Sequence, residues 1–427
     1  MQDYSGDHGE RINNSRPQVI QIKPYVPNKY SCTCGGEFHY DELLWQGLHI
    51  CEKFTCPDCK KVRINSLPVN QSAIEQYTFY PETGLINDIY GNAVPDNWYS
   101  VKLKSVAHPV NKDVEIEIEK FGEHKEILIL NTLDYVYGHS LLFLLNLQRI
   151  IKAEKRLGIV IIVQPMLKWL VPKAGIAEVW TVKLGFQKFH NFYPLLSGKI
   201  NSELNRFDSA WLSEGHLIPT NQNIEIEMFT GIKPYDFLNE PVNPGITYIW
   251  REDPDRLWIR NIFLLKGMKK LGFRRILIPL QYLRVLLIFH SLRNRLGKKF
   301  TYSVAGLGKF GKFPSFIKDQ RVILFNEDTE KKLCGVYADS ILVFGVHGSG
   351  MLLPSAHAGM TISLMPSRRW GNFAEDILFS EHDIRLAAFQ RRIVPLNLCI
   401  ADIRDILIDM VSGRGEYIKK FIHTDEL

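Results

Sequence analysis

The chain has 427 residues, 45% of them hydrophobic, and a net charge of +6. That length exceeds a single core and predicts two large domains with smaller appendages. The mild charge suits anionic small molecules such as nucleotide diphosphates and is too low to argue for nucleic acid, and residues 1–7 carry neither the basic region nor the apolar core of a secretory signal.

Five of the seven cysteines fall between positions 32 and 59. Cys32-Thr33-Cys34 and Cys56-Pro57-Asp58-Cys59 each fit a turn that aims two thiolates at one ion, and zinc is the natural metal for four thiolates. Cys51 or His49 can stand in for one of the four. Residues 1–70 are therefore expected to be an N-terminal arm and a zinc-ribbon-like module. Closed by four protein ligands, the site is structural, and no catalytic metal is expected.

Residues 61–113 are rich in Pro, Asn, Asp and Gly and read as a linker. An edge strand is predicted over 115–120 and a buried strand over 126–131. A helix over 138–157 and a strand over 159–163 follow, forming a right-handed β-α-β unit within a first Rossmann-like domain, residues 71–242. Asn243-Pro244-Gly245 reads as a hinge. Beyond it, strands are predicted over 246–250, 276–278, 302–305, 321–325, 340–344 and 360–366, with a helix over 283–296. This second Rossmann-like domain spans 243–410 and leaves residues 411–427 as a tail. The most apolar stretch, residues 276–289, is broken by Pro279, Gln281 and Arg284, so no membrane span is expected. A cytoplasmic location follows. The basic run Arg284, Arg293, Arg295, Lys298 and Lys299 extends it to peripheral contact with the inner face of an anionic membrane.

The sharpest motif is His347-Gly348-Ser349-Gly350, between the strand over 340–344 and an apolar helical run that reaches Gly359. A turn of small residues at the carboxyl end of a parallel strand exposes backbone N–H groups where phosphates and sugar oxygens bind. Strand, His-Gly-Ser-Gly, apolar helix, Gly, strand and Pro together resemble the signature of family 61 glycosyltransferases, with Ser349 where that family has Ala. Asp134-Tyr135-Val136-Tyr137-Gly138-His139-Ser140 resembles the family's Tyr/His-rich approach to an early helix. The resemblance implies the α/β GT-B architecture, two Rossmann-like domains facing a cleft.

Sugar transfer then assigns tasks to residue types. A departing nucleotide diphosphate needs cations and N–H groups when no divalent ion is present. Arg251, Gly306, Lys309, His347, Gly348, Ser349, Gly350 and Arg369 are the candidate donor-binding residues, with Glu375 for ribose hydroxyls. The acceptor hydroxyl needs a base, and Asp134 is preferred over His139. The expected partners are a nucleotide-sugar donor and a glycan, lipid-linked or protein hydroxyl acceptor, with inversion at the anomeric carbon. The alternative is a non-catalytic sugar- or nucleic-acid-binding scaffold with a zinc knuckle.

Overall fold

In a computed structural model of the chain, residues 19–215, 224–259, 267–268, 270, 274–372, 378 and 384–421 are described. Among the described residues the fold is mixed α/β with three six-stranded sheets. It divides into two units, Met1–Leu217 and Ile218–Leu427, so the second unit begins ahead of the hinge expected at residue 243.

The first unit opens with β1 (Val19–Lys23), which lies at the edge of a sheet completed later in the chain. β2 (Tyr30–Ser31), β3 (Glu37–Trp45), β4 (Ile50–Thr55), β5 (Val62–Ser66), β6 (Tyr77–Tyr80) and β7 (Leu85–Asp88) form a sheet of their own in chain order. Every paired neighbour in it is antiparallel. The stretch 61–113 is thus no linker: three of its segments are strands that extend the cysteine-bearing sheet to Asp88. Their short lengths and intervening turns hide the period of two that would mark them.

Nor is the cysteine sheet a separate module. Leu43, Trp45, Ile50, Leu67 and Val69 pack in one core with Ile127, Ile129, Val160, Ile162 and Trp180 of the following strands. Trp45 is fully enclosed there, its backbone N–H donating to Ser197 Oγ (3.0 Å) and its indole N–H to Asn201 Oδ1 (2.8 Å).

β8 (Ile116–Lys120), β9 (Glu126–Asn131), β10 (Gly158–Val163), β11 (Glu178–Val182) and β12 (Ser209–Ser213) complete the other sheet, ordered β1-β12-β9-β10-β11-β8. β12, β9, β10 and β11 are parallel; β1 and β8 cap the edges antiparallel. Numbered along the chain, the parallel strands run third-second-first-fourth, the order of a doubly wound sheet, and the winding reverses between β9 and β12. The helix expected over 138–157 is two helices, Tyr137–Leu145 and Leu147–Ala153, broken at Asn146.

The second unit holds β13 (Gly245–Trp250), β14 (Thr301–Leu307), β15 (Ile317–Val322), β16 (Ser340–Val346), β17 (Met360–Met365) and β18 (Arg391–Pro395). All are parallel, in the order β15-β14-β13-β16-β17-β18. This is the full six-strand Rossmann order, reversing between β13 and β16. β13, β16 and β17 are buried at every residue, which is why each reads as an unbroken apolar run.

Helix Ile278–Leu296 buries Ile278, Val285, Ile288, Phe289 and Leu292 against this sheet, and helix Ile400–Phe421 adds Ile403, Leu407 and Met410 to the same core. Two expected strands fail. Residues 276–278 are not a strand, because Pro279, with its fixed φ, sits in the first turn of the helix that starts at Ile278. The strand expected over 321–325 lies four residues earlier in the chain, where Ile317 faces the core. The expected tail from residue 411 continues the last helix as far as Phe421. Among the described residues, no helix is long and apolar enough to cross a membrane.

Candidate functional site

Cys32, Cys34, Cys56 and Cys59 converge, with all four Sγ atoms within 4.8 Å of one another. Cys32 and Cys59 are 3.5 Å apart at sulfur, as are Cys34 and Cys56. A tetrahedron of thiolates about 2.3 Å from a metal has edges near 3.8 Å, so these spacings fit one ion. Both halves turn through a left-handed residue directly after the second cysteine, Gly35 (φ 94°) and Lys60 (φ 61°). Gly36 follows Gly35, and a Cβ there would fall 2.0 Å from Asp58 Oδ2, so a larger residue would have to displace that side chain. The Cys34 backbone N–H is the main influence that draws the Cys32 thiol down to about 7. Phe38 and Phe54 pack around Cys32 and Cys56. Neither alternative ligand takes part. Cys51 lies buried in another core, and His49 is enclosed with Nε2 3.1 Å from the Tyr99 carbonyl.

The first unit's switch point carries Asp134, on the turn after β9, and His139, in the first turn of the helix Tyr137–Leu145. Asp134 Oδ2 meets His139 Nδ1 at 3.1 Å, and Oδ1 accepts from the Val136 N–H at 2.9 Å. The Asp134 side chain is 0% exposed and that of His139 is 22% exposed. The carboxylate therefore has no surface on which to meet an acceptor hydroxyl, whereas the imidazole does. In this geometry the enclosed aspartate orients the histidine ring. The Asp134 carbonyl also accepts from Gln164 Nε2, bracing the same turn.

In the second unit, Arg251, Lys309, His347, Gly348, Ser349, Gly350 and Arg369 lie after the carboxyl ends of β13, β14, β16 and β17, while Gly306 sits within β14 itself. Arg251 follows β13, its guanidinium bound to Asp253 at 2.6 Å and its carbonyl held by buried Gln281 Nε2 at 2.9 Å. A Cβ on Gly350 would sit 3.0 Å from Arg251 Nη1, so Arg251 and the His347–Gly350 turn are neighbours. His347 is fully buried, with Nε2 3.2 Å from the Asn372 carbonyl, and burial holds its pKa near 4. Gly348 (φ 143°) presses against Arg256, which donates to the His347 carbonyl.

Ser349 opens a short 3-10 turn, and the helix beyond it has only six residues, Leu352–His357. The strong helix end expected at this motif is absent, so cations are the chief anion-binding groups available here. Arg369 lies in the 3-10 segment Ser367–Asn372, beside Arg368, which pairs with Asp255 at 2.8 Å. Lys309 is exposed. Gly306 serves packing, because a Cβ would lie 2.4 Å from the Trp250 carbonyl oxygen of the adjacent strand. Glu375 lies outside the described residues.

Two residues of this edge escaped sequence reasoning. Glu252 Oε1 accepts from the backbone N–H groups of Lys309 (2.6 Å) and Phe310 (2.7 Å) and from the Trp250 indole (3.0 Å). Arg321, with its side chain only 3% exposed, bonds the carbonyls of Phe310 and Gly311 and lies over the rings of Trp250 and Phe313. The one hint was the alternation Gly306-Leu307-Gly308. A Cβ at Gly308 would fall 2.4 Å from Glu252 Oε1, so the glycines mark a close approach.

No protein-family model and no curated protein matches this chain.

Proposed function

We propose that the chain is a glycosyltransferase of the GT-B type, moving a sugar from a nucleotide-diphosphate donor to a hydroxyl acceptor with inversion and without a catalytic divalent ion. The observation that carries the reading is the Asp134–His139 pair at the first unit's switch point, an enclosed carboxylate holding an imidazole that reaches the surface. In this reading His139 Nε2 takes the acceptor proton, while Asp134 keeps the Nδ1 proton in place and stabilises the imidazolium that forms. Arg251, Lys309, Arg368 and Arg369 supply positive charge for the departing diphosphate. The four-cysteine cluster holds zinc and stiffens its sheet. The cytoplasmic location and any peripheral membrane contact belong to the same proposal.

The test is transfer from a panel of nucleotide sugars, followed as nucleotide diphosphate release. His139→Ala should lower turnover by about 10²–10⁴-fold with donor affinity nearly unchanged. Arg251→Ala should weaken donor use by about 2 kcal/mol. Full turnover in the His139 variant, or strict dependence on added magnesium or manganese, would contradict the mechanism.

A further inference from the structure

The loop ahead of the helix Ser100–Leu103 sets a large ring beside the dyad. Trp98 is 44% exposed, and its ring centroid lies 5.2 Å from that of His139 at an interplanar angle of 56°. Its neighbours in the chain are fixed. Tyr99 is fully buried and stacks on His49 at 4.2 Å, while Asn97 Oδ1 accepts from the N–H groups of Tyr99 (2.8 Å) and Ser100 (2.7 Å). The Trp98 carbonyl accepts from Tyr135, the residue that follows Asp134 in the dyad turn. One exposed aromatic is ordinary on a protein surface. A rigidly mounted one, against the only part of the dyad that meets solvent, is a preorganised contact.

We propose that Trp98 is the stacking platform of a carbohydrate subsite whose bound hydroxyl faces His139. The proposal rests on the transferase reading and deepens it by naming the acceptor as a sugar. A pyranose has one face of polarised C–H groups, which the negative face of an indole attracts, and a rim of hydroxyls that needs polar partners. The surroundings match both halves: the indole offers its face, His139 stands 5.2 Å from it, and the Tyr135 hydroxyl reaches the Trp98 carbonyl, with His190 and Lys102 4.2 Å and 4.9 Å from the Tyr135 ring in turn. A lipid chain would call instead for a continuous apolar patch of several hundred Å².

The experiment is saturation-transfer NMR on the full chain with methyl glycosides of glucose, galactose, mannose, xylose and N-acetylglucosamine, with nucleotide sugars titrated into the same samples. At least one glycoside should bind the wild type at millimolar concentration. Trp98→Ala should weaken it by about tenfold with an unchanged melting temperature, and Trp98→Phe should restore most of the affinity. No glycoside binding by the wild type, or equal binding by Trp98→Ala, overturns the subsite; so does Trp98-dependent capture of anionic phospholipid vesicles without glycoside binding. Glycoside binding that depends on Trp98, with no nucleotide sugar bound, upholds the subsite and removes the transferase reading. Nucleotide-sugar binding without glycoside binding does the reverse.

Discussion

Gly348→Ala tests the second unit's switch point most sharply. The glycine adopts φ 143° and ψ 178°, a region closed to residues with a Cβ, and the new Cβ would lie 1.4 Å from Arg256 Nη1 and 2.1 Å from Cζ. Holding that backbone with alanine costs about 1–3 kcal/mol. Displacing the guanidinium also breaks its bond to the His347 carbonyl, a charge-assisted contact worth about 1.5–3 kcal/mol. The expected loss is then about 2.5–6 kcal/mol, read from the urea midpoint of the second unit's unfolding transition. A double-mutant cycle separates the two parts. In an Arg256→Ala background the clash and the bond are already gone, so Gly348→Ala should cost only the strain, and the paired losses should fall short of additivity by about 1.5–3 kcal/mol. Additive losses, or an alanine variant as stable as the wild type, would refute the close approach of Arg256 to this turn.

Three further outcomes follow from the geometry. Purified protein should carry about one zinc per chain; Cys56→Ser should abolish it and Cys51→Ser should leave it intact, as metal analysis will show. Burial holds His49 and His357 near pKa 4, below the roughly 6.5 of an unfolded histidine, so the unfolded chain takes up protons first as pH falls. Stability is fully present above about pH 6.5 and each histidine forfeits about 1.4 kcal/mol per pH unit down to about pH 4; His49→Gln should flatten the first unit's dependence by one proton, and an unchanged slope would contradict the burial. Asp134→Asn should cut turnover nearly as far as His139→Ala while nucleotide-sugar affinity, measured by calorimetry, stays unchanged; a donor-affinity loss of the same size would remove the dyad from the chemical step.

What could be read from the chain divides along physical lines. β9, β10, β13, β16 and β17 fall within two residues of expectation because strands buried on both faces must be apolar throughout. β5, β6 and β7 were missed because short antiparallel strands broken by turns carry little periodicity of their own, and their partners are set by the hairpins before them. The four cysteines were legible, since metal ligation demands residue type and spacing together. Their sheet's burial in the first unit's core was not, because Trp45 meets Ser197 and Asn201 across more than 150 positions of sequence. The same holds for Glu252, which reaches Lys309 and Phe310 from the neighbouring strand end. Asp134 and His139 were each visible as candidates. Their bond was not, because the pair spans a turn with no periodic spacing to announce it.

The two units share more than a fold class, and that sharing bears on the chemistry. In each, the first four parallel strands run third-second-first-fourth, so each has one place where adjacent strand ends diverge and loops can open a crevice. The residues singled out for chemistry stand just after those strand ends: Asp134 beyond β9 in the first unit, Arg251 beyond β13 and His347 beyond β16 in the second. The groups differ as the proposed reaction requires. Proton acceptance needs an imidazole held by an enclosed carboxylate, and the departing diphosphate needs cations. Placed together these groups would neutralise one another, as Asp253 already does in part to Arg251 at 2.6 Å. Set on separate sheets, the carboxylate stays committed to His139 and the guanidinium can exchange its exposed aspartate for a phosphate, an exchange between partners of like charge that leaves no buried ion unpaired.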